Sequence, residues 1–352
     1  MWIVNDLISF YINHILIPKI MDYSNPGFLY TKITDKGVRV SIRDILLLEE
    51  FLTELEKEII KQPQGADKLY QVGKIGGYTF AALSELPNIN NTQDLKELEK
   101  QTKFLSLFIA CTYGTVVEHE INIAEKTFTQ TYDDFVVCPK NGIGKLVIEG
   151  SAAGIWAWIM QDKTMEGRQT HCIGRGDKKC VIITGPPDKI QATTTFTNFK
   201  EIELNPEYEK LNSPQPAPHA KSLDELIKHQ IFQIKNNKIT YEGHRYLDVD
   251  IAYPYTLEQL LDEQTLYQVA RKTYAKIGEK IPEEFIPQYL GAQGWGDITL
   301  VDEQIEIKHY PYLQISTTYP LIRGILAGLT GKDYHNAQNT IHAGSNTVVI
   351  TT

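Results

Sequence analysis

The sequence predicts an α+β protein made of two similar domains. Three observations lead there. Apolar residues recur first at helical spacing and then alternate as in strands, in runs. Short segments of the first half return in the second half in the same order. Residues 205–219, NPEYEKLNSPQPAPH, hold four prolines and almost no apolar periodicity, which reads as a linker.

Each element follows from its own pattern. The first residues, MWIVNDLISFYINHILIPKI, lack a basic start and a small-residue cleavage site, so they do not read as a signal peptide. Asp6, Asn13 and His14 interrupt the apolar run and Pro18 ends it, too short and polar for a membrane span. Val4, Ile8, Tyr11 and Ile15 form one stripe opposite Asn5, Ser9 and Asn13. Residues 1–24 therefore predict an amphipathic helix, packed on its own core, on a dimer partner or at a membrane surface. Residues 43–61 predict a helix with Leu48, Leu52, Leu55 and Ile59 on one stripe. Residues 67–86 predict another, with Gly73, Gly76 and Gly77 on or near one face. Glycine costs about 1 kcal/mol inside a helix, so three together imply close approach of a backbone or a ligand. A helix is expected over about 94–111 and a hairpin of strands over 116–137. Residues 143–160 predict a helix with the small face Gly150, Ala153 and Gly154. The stretch THCIGRGDKKCVIITG, 170–185, closes the unit as a second hairpin with Val181, Ile182 and Ile183 in a strand.

After the linker the pattern recurs. KIT at 32–34 returns at 238–240, and LYQV at 69–72 returns at 266–269. YGTVVEHEINI at 113–123 answers to WGDITLVDEQIEI at 295–307, and VIEGSAAG at 147–154 to LIRGILAG at 321–328. HCIGRGDKKCVIIT at 171–184 answers to IHAGSNTVVITT at 341–352. The separation shrinks steadily, as expected of a duplicated domain trimmed in its second copy. The copies are 25–186 and 223–352, joined by a Pro-rich linker at 187–222. Cys172 and Cys180 have no counterpart in the second copy.

Composition limits the function. The 352 residues suffice for two ordinary domains, and 42% apolar with 22% charged residues fits a globular chain with a core. A net charge of −9 argues against nucleic acid as a partner and against docking on an anionic membrane. Four cysteines, Cys111, Cys138, Cys172 and Cys180, are too sparse for a disulfide framework and point to reduced thiols in the cytoplasm. There is no glycine-rich phosphate loop, no Rossmann fingerprint and no HExxH, and no acid–base pair stands out, so nothing predicts an enzyme. His119 alternates with Glu118 and Glu120 on a strand and so faces away from both. Cys138-Pro139 reads as a loop ending a strand. Cys172 and Cys180 leave three readings open: a metal pair, small apolar side chains in a hairpin, or a redox or ligand-attachment pair. Trp156, Trp158, Tyr113, Tyr132 and Phe135 are either core aromatics or walls of a pocket.

LYQVGKIGG at 69–77, EGSAAGIWAW at 149–158 and CIGRGDKKCVI at 172–182 together make the first copy similar to the 4-vinyl reductase (V4R) domain family. The likeness covers about 25–186 directly and 225–352 through the repeat. It implies, in each copy, a twisted antiparallel sheet with helices on one face. It also implies a hydrophobic small-molecule pocket, or a scaffold using the same fold as in small subunits of the TRAPP trafficking complex. In sensor relatives the paired cysteines bind structural zinc with an acidic residue three before the first and an earlier cysteine. Here the acidic position falls on Gln169 and no cysteine lies near Leu146. The likeness thus implies zinc at Cys172 and Cys180, with His171, Glu166 or Cys138 to complete the set and His171 taken first. The expected function is non-enzymatic binding of an aromatic or tetrapyrrole molecule by Tyr113, Tyr132, Phe135, Trp156 and Trp158, as sensor, carrier or assembly factor. The alternative is a protein–protein scaffold without ligand. Output runs through a partner protein, and related domains pair, so a homodimer is compatible.

Overall fold

A computed structural model describes residues 21–35, 38–92, 94–103, 114–144, 146–199, 213–235, 238–301, 304–312, 318–342 and 346–351. The helix expected within residues 1–24 lies outside them up to residue 20, as do Tyr113, Cys111 and residues 200–212 of the linker. The chain is α+β, and its sheets are antiparallel. Two compact units interleave along the sequence: one gathers Met1–Leu48, Asn205–Ile251 and Ala270–Thr352, the other Glu49–Leu204 and Ala252–Val269. Units defined by contact and copies defined by repeat therefore partition the chain differently.

The first unit contains a six-stranded sheet. Its strands are β1 (Met21–Asp22), β2 (Leu29–Asp35), β3 (Val38–Leu48), β8 (Gln233–Lys235), β9 (Lys238–Tyr241) and β10 (His244–Asp250), in the order β1-β2-β3-β10-β9-β8. The helix expected over 43–61 begins only at Glu49, because residues 43–48 belong to β3. Ile45, Leu46, Leu47 and Leu48 are all buried, as in a central strand covered on both faces, and such a continuous apolar run mimics a helix in sequence. The hairpin β2–β3 of the first copy meets the hairpin β9–β10 of the second along β3–β10. Asp44 lies opposite Asp250 there, and the KIT register maps Asp44 onto Asp250.

The unit also holds a four-stranded sheet of β11 (Asp297–Val301), β12 (Gln304–Lys308), β13 (Gln338–His342) and β14 (Thr347–Thr351), ordered β11-β12-β14-β13. The second unit carries β4 (Gly114–Asn122), β5 (Thr127–Phe135), β6 (Glu166–His171) and β7 (Cys180–Gly185), ordered β4-β5-β7-β6. Matched through the repeat, the two orders are identical, so the duplication seen in sequence extends to topology.

The second unit packs α1 (Glu49–Ile59), α2 (Gly65–Leu83), the single turn α3 (Cys138–Asn141), α4 (Leu146–Ile159) and α5 (Ala252–Leu260) with its sheet; residues 95–103 are also helical. The remaining long helices are α6 (Glu263–Gly278), α7 (Ile286–Ala292) and α8 (Pro320–Thr330). The glycines of α2 and α4 explain how the two helices meet. A Cβ on Gly73 would stand 1.9 Å from the Val147 carbonyl oxygen, and one on Gly154 would stand 2.1 Å from that of Lys74. Gly77 and Gly150 are equally close to the opposing backbone, whereas Gly76 faces Thr256 of α5. The second copy repeats the device: a Cβ on Gly328 would stand 2.7 Å from the oxygen of Arg271, the counterpart of Lys74 in the LYQV register.

Two consequences are measurable. Gly154→Ala must drive the helices apart, and overpacking of this kind costs about 1–3 kcal/mol or more, so its Tm should fall by several degrees. A Tm equal to wild type would mean that the helices are not in backbone contact. The second concerns Asp44 and Asp248, buried on one face of the β3–β10 seam. Tyr23 donates to Asp248 Oδ2 at 2.9 Å, and Asp44 Oδ2 and Asp248 Oδ1 have no partner. Burial, then the neighbouring Asp250, push Asp248 up to about 7, with the Tyr23 hydrogen bond opposing. Burial, then the Asp248 charge, push Asp44 well above the carboxylate range. Raised carboxylates bind protons more tightly folded than unfolded. Their stabilisation is complete below about pH 4 and is lost as pH rises, through about 7 for Asp248, with Asp44 contributing in the same direction. Asp248→Asn should therefore lose less Tm than wild type between pH 5 and pH 8, as followed by thermal melts.

Candidate metal centre

Three segments build the centre. The first is the end of β5, which runs through Val136 and Val137 into Cys138. Val137 has φ 66 and ψ −47, and the Cys138 N–H donates to the Val136 oxygen at 2.7 Å. That is a γ-turn of the rare, strained form, here on a β-branched residue. Its Val137 N–H is taken by Glu49 Oε1 at 2.9 Å, and Lys140 Nζ sits 2.7 Å from Glu49 Oε2. The strain is held by a buried carboxylate from α1, and it sends Cys138 inward.

The second segment is β6. Gln169 pairs with Ile182 and His171 with Val181, so Thr170 is an extra residue in a β-bulge. The bulge inverts the alternation: Gln169 is buried, His171 exposed and Cys172 buried again. His171, expected as a ligand, is therefore turned to solvent, where its Nδ1 meets the Thr170 hydroxyl at 3.0 Å. The third segment is the turn into β7. Asp177 Oδ2 accepts from the Cys172 N–H at 2.7 Å, Gly176 takes φ 99, and the Ile173 N–H donates to Cys180 Sγ at 3.3 Å. The Arg-Gly-Asp stretch is thus a turn whose aspartate caps the backbone.

Cys138, Cys172 and Cys180 come together, their sulfurs all within 4.8 Å of one another, and all three are fully buried free thiols. Tyr132, Phe135, Ile148, Ala152 and Ile182 wall them. Cys138 donates to Cys180, and this bond most of all lowers Cys180 to about 7; burial opposes it, while the Ile173 N–H, Cys172 and Arg175 assist. The same bond, then burial, raises Cys138. The donor set fits a thiophilic ion: bonds of about 2.3 Å in a tetrahedron set sulfurs roughly 3.8 Å apart. Glu166, another expected candidate, is occupied elsewhere. It pairs with buried Lys74 at 2.8 Å, accepts from Tyr70 Oη at 2.6 Å and from the Phe196 N–H at 2.7 Å.

The expected aromatic wall residues divide between two clusters. Tyr132 and Phe135 meet at a tilt, ring centroids 4.4 Å apart, beside the cysteines. Trp156 and Trp158 belong to a separate cluster with Tyr78, Phe128 and Phe199. Trp156 is fully buried and its N–H donates to the Lys126 oxygen at 2.8 Å. Trp158 is half-buried, donates to the Leu86 oxygen at 2.9 Å and meets the Tyr78 ring edge-on at 5.5 Å. Sequence reasoning missed Glu49 and Val137, whose roles appear only in three dimensions.

No family model and no curated protein matches the chain. Among solved structures, the phenol-responsive sensory domain of the transcription activator PoxR, with phenol, is similar at a TM-score of 0.36 and 19% identity. That likeness covers 49% of this chain and 88% of that one. No helix among the described residues is long and apolar enough to cross a membrane.

Glu49 gives a test of the geometry. Glu49→Ala frees the Val137 turn without touching a sulfur, and supporting groups of this kind are typically worth about 10–100-fold in metal affinity. Lys140→Ala removes only a solvent-screened pair and should change affinity by no more than about twofold. Competition against a chromophoric chelator measures both. Equal effects would detach Glu49 from the centre.

Proposed function

We propose that the chain is a tandem V4R-like binding module. Its first copy, clipped by a metal ion, takes a hydrophobic small molecule of the aromatic or tetrapyrrole class and reports it through a partner protein. The observation that carries this reading is the convergence of three buried cysteines from three separate segments, presented by a strained turn and a bulge. A protein that needed these residues only as apolar filling would gain nothing from the strain. An ion there ties the ends of β5, β6 and β7 together beneath α4, and so fixes the sheet edge against the helix that carries Trp158.

The ligand is proposed to lie on the half-buried aromatic surface of Trp158 and Phe196, beside buried Tyr78. The indole N–H of Trp158 is already engaged, so contact there is through ring faces, which suits a flat apolar molecule. Unpaired thiols so close together fit a reducing compartment, in keeping with a cytoplasmic protein.

Two measurements test the reading. Metal analysis of the purified chain should find about one thiophilic ion per chain, absent from Cys172→Ser, and removal by chelator should lower Tm by several degrees. Mass spectrometry of its organic extract should find one aromatic species, lost in a Trp158→Ala variant that circular dichroism shows to be folded. A metal-free protein of unchanged Tm would end the clip. An extract without any aromatic species, with Trp158→Ala indistinguishable in ligand titrations, would end the ligand.

A further inference from the structure

We infer that Gln169 makes this a three-sulfur centre, selective for ions that are content with three thiolate ligands. The inference rests on reading the cluster as a metal centre and names the ion class that such a centre takes. Among the described residues the convergent group holds three cysteines and no carboxylate or imidazole. The side chain placed to supply a fourth ligand is that of Gln169, and it is turned the wrong way. Its Nε2 donates to Cys138 Sγ at 3.3 Å. Its Oε1 lies on the Gly144 side, where a Cβ on Gly144 would stand 2.7 Å from it and 3.1 Å from Arg175 Nη1.

The residue is also fixed through its backbone. Its N–H donates to Glu149 Oε1 at 2.9 Å and its oxygen accepts from Arg175 Nη2 at 3.2 Å. In this orientation the amide gives its N–H to the sulfur and keeps its oxygen on the Gly144 side. Such a donor supports an electron-rich thiolate but adds no ligand. Water is a poor substitute, because all three cysteines are fully buried.

Zinc in closed protein sites takes four ligands and would be one short here. Soft thiolates favour soft ions, and an ion satisfied by three sulfurs has no deficit. Trivalent arsenic is the probe of that class. As arsenous acid it forms three As–S bonds and loses three hydroxides, which leave with the three thiol protons as water. No electron is transferred.

The test uses the full chain, reduced and metal-free, with its fold checked by circular dichroism. Zinc is titrated against a chromophoric chelator and arsenite against a competing dithiol, for wild type, Gln169→Glu and Gln169→Ala. Arsenite should occupy all three thiols in wild type. Gln169→Glu should raise zinc affinity about tenfold or more while arsenite affinity stays within about twofold, since only zinc gains from a fourth anionic ligand. Gln169→Ala should weaken zinc and arsenite alike, since it removes a hydrogen bond to the Cys138 sulfur and no ligand. Gln169→Ala weakening zinc while arsenite is unaffected, or Gln169→Glu leaving zinc affinity unchanged or moving both ions alike, overturns the selectivity. A wild type that captures neither ion overturns the metal reading itself.

Discussion

Backbone contact between α2 and α4 is the constraint from which the rest of the second unit follows. With Gly73, Gly77, Gly150 and Gly154 at the crossing, α4 lies against α2 with no side chain between them. Its other sides are then committed. Ile148 and Ala152 press on the cysteines, while Trp156 enters the neighbouring aromatic core and Trp158 packs against it. Buried Lys74 and Glu166 fix the same helix pair to β6, and removing one partner of such a pair typically costs about 3–5 kcal/mol. The cysteine cluster and the aromatic surface are thus two sides of one rigidly placed helix.

The copies share this frame and differ in charge at one buried position. Glu149 of α4 accepts from the Gln169 N–H of the neighbouring strand. Its counterpart in the VIEGSAAG register is Arg323 of α8, which donates to the carbonyls of Thr318, Tyr334 and His335. In the first copy a carboxylate anchors β6 beside the cysteines. In the second a guanidinium gathers carbonyl groups, and no cysteine is present. The duplicated scaffold therefore tolerates opposite electrostatic solutions at one helix position, with only one copy carrying thiols.

Much of this was legible in the sequence. Period changes marked the hairpins β4–β5 and β6–β7, the small-residue faces marked α2 and α4, and the repeats anticipated two sheets of one strand order. The helix expected from residue 43 failed because Ile45–Leu48 is apolar on every side, which periodicity cannot separate from a helix. At the site, Cys172 and Cys180 were visible as a pair, with His171, Glu166 or Cys138 open as the residue completing them and His171 taken first. Two backbone irregularities reverse that preference. The bulge at Thr170 turns His171 outward, and the γ-turn at Val137 brings Cys138 in from a distant part of the chain. Neither leaves a residue signature: valine is a poor candidate for positive φ, and nothing in RQTHC announces an extra residue.

Anomalous X-ray diffraction from crystals of the full chain, collected at the absorption edge of the metal found in the purified protein, addresses the central claim most directly. The expected result is a single peak within bonding distance of the Cys138, Cys172 and Cys180 sulfurs. Crystals with no peak there and three ordinary packed thiols would contradict it.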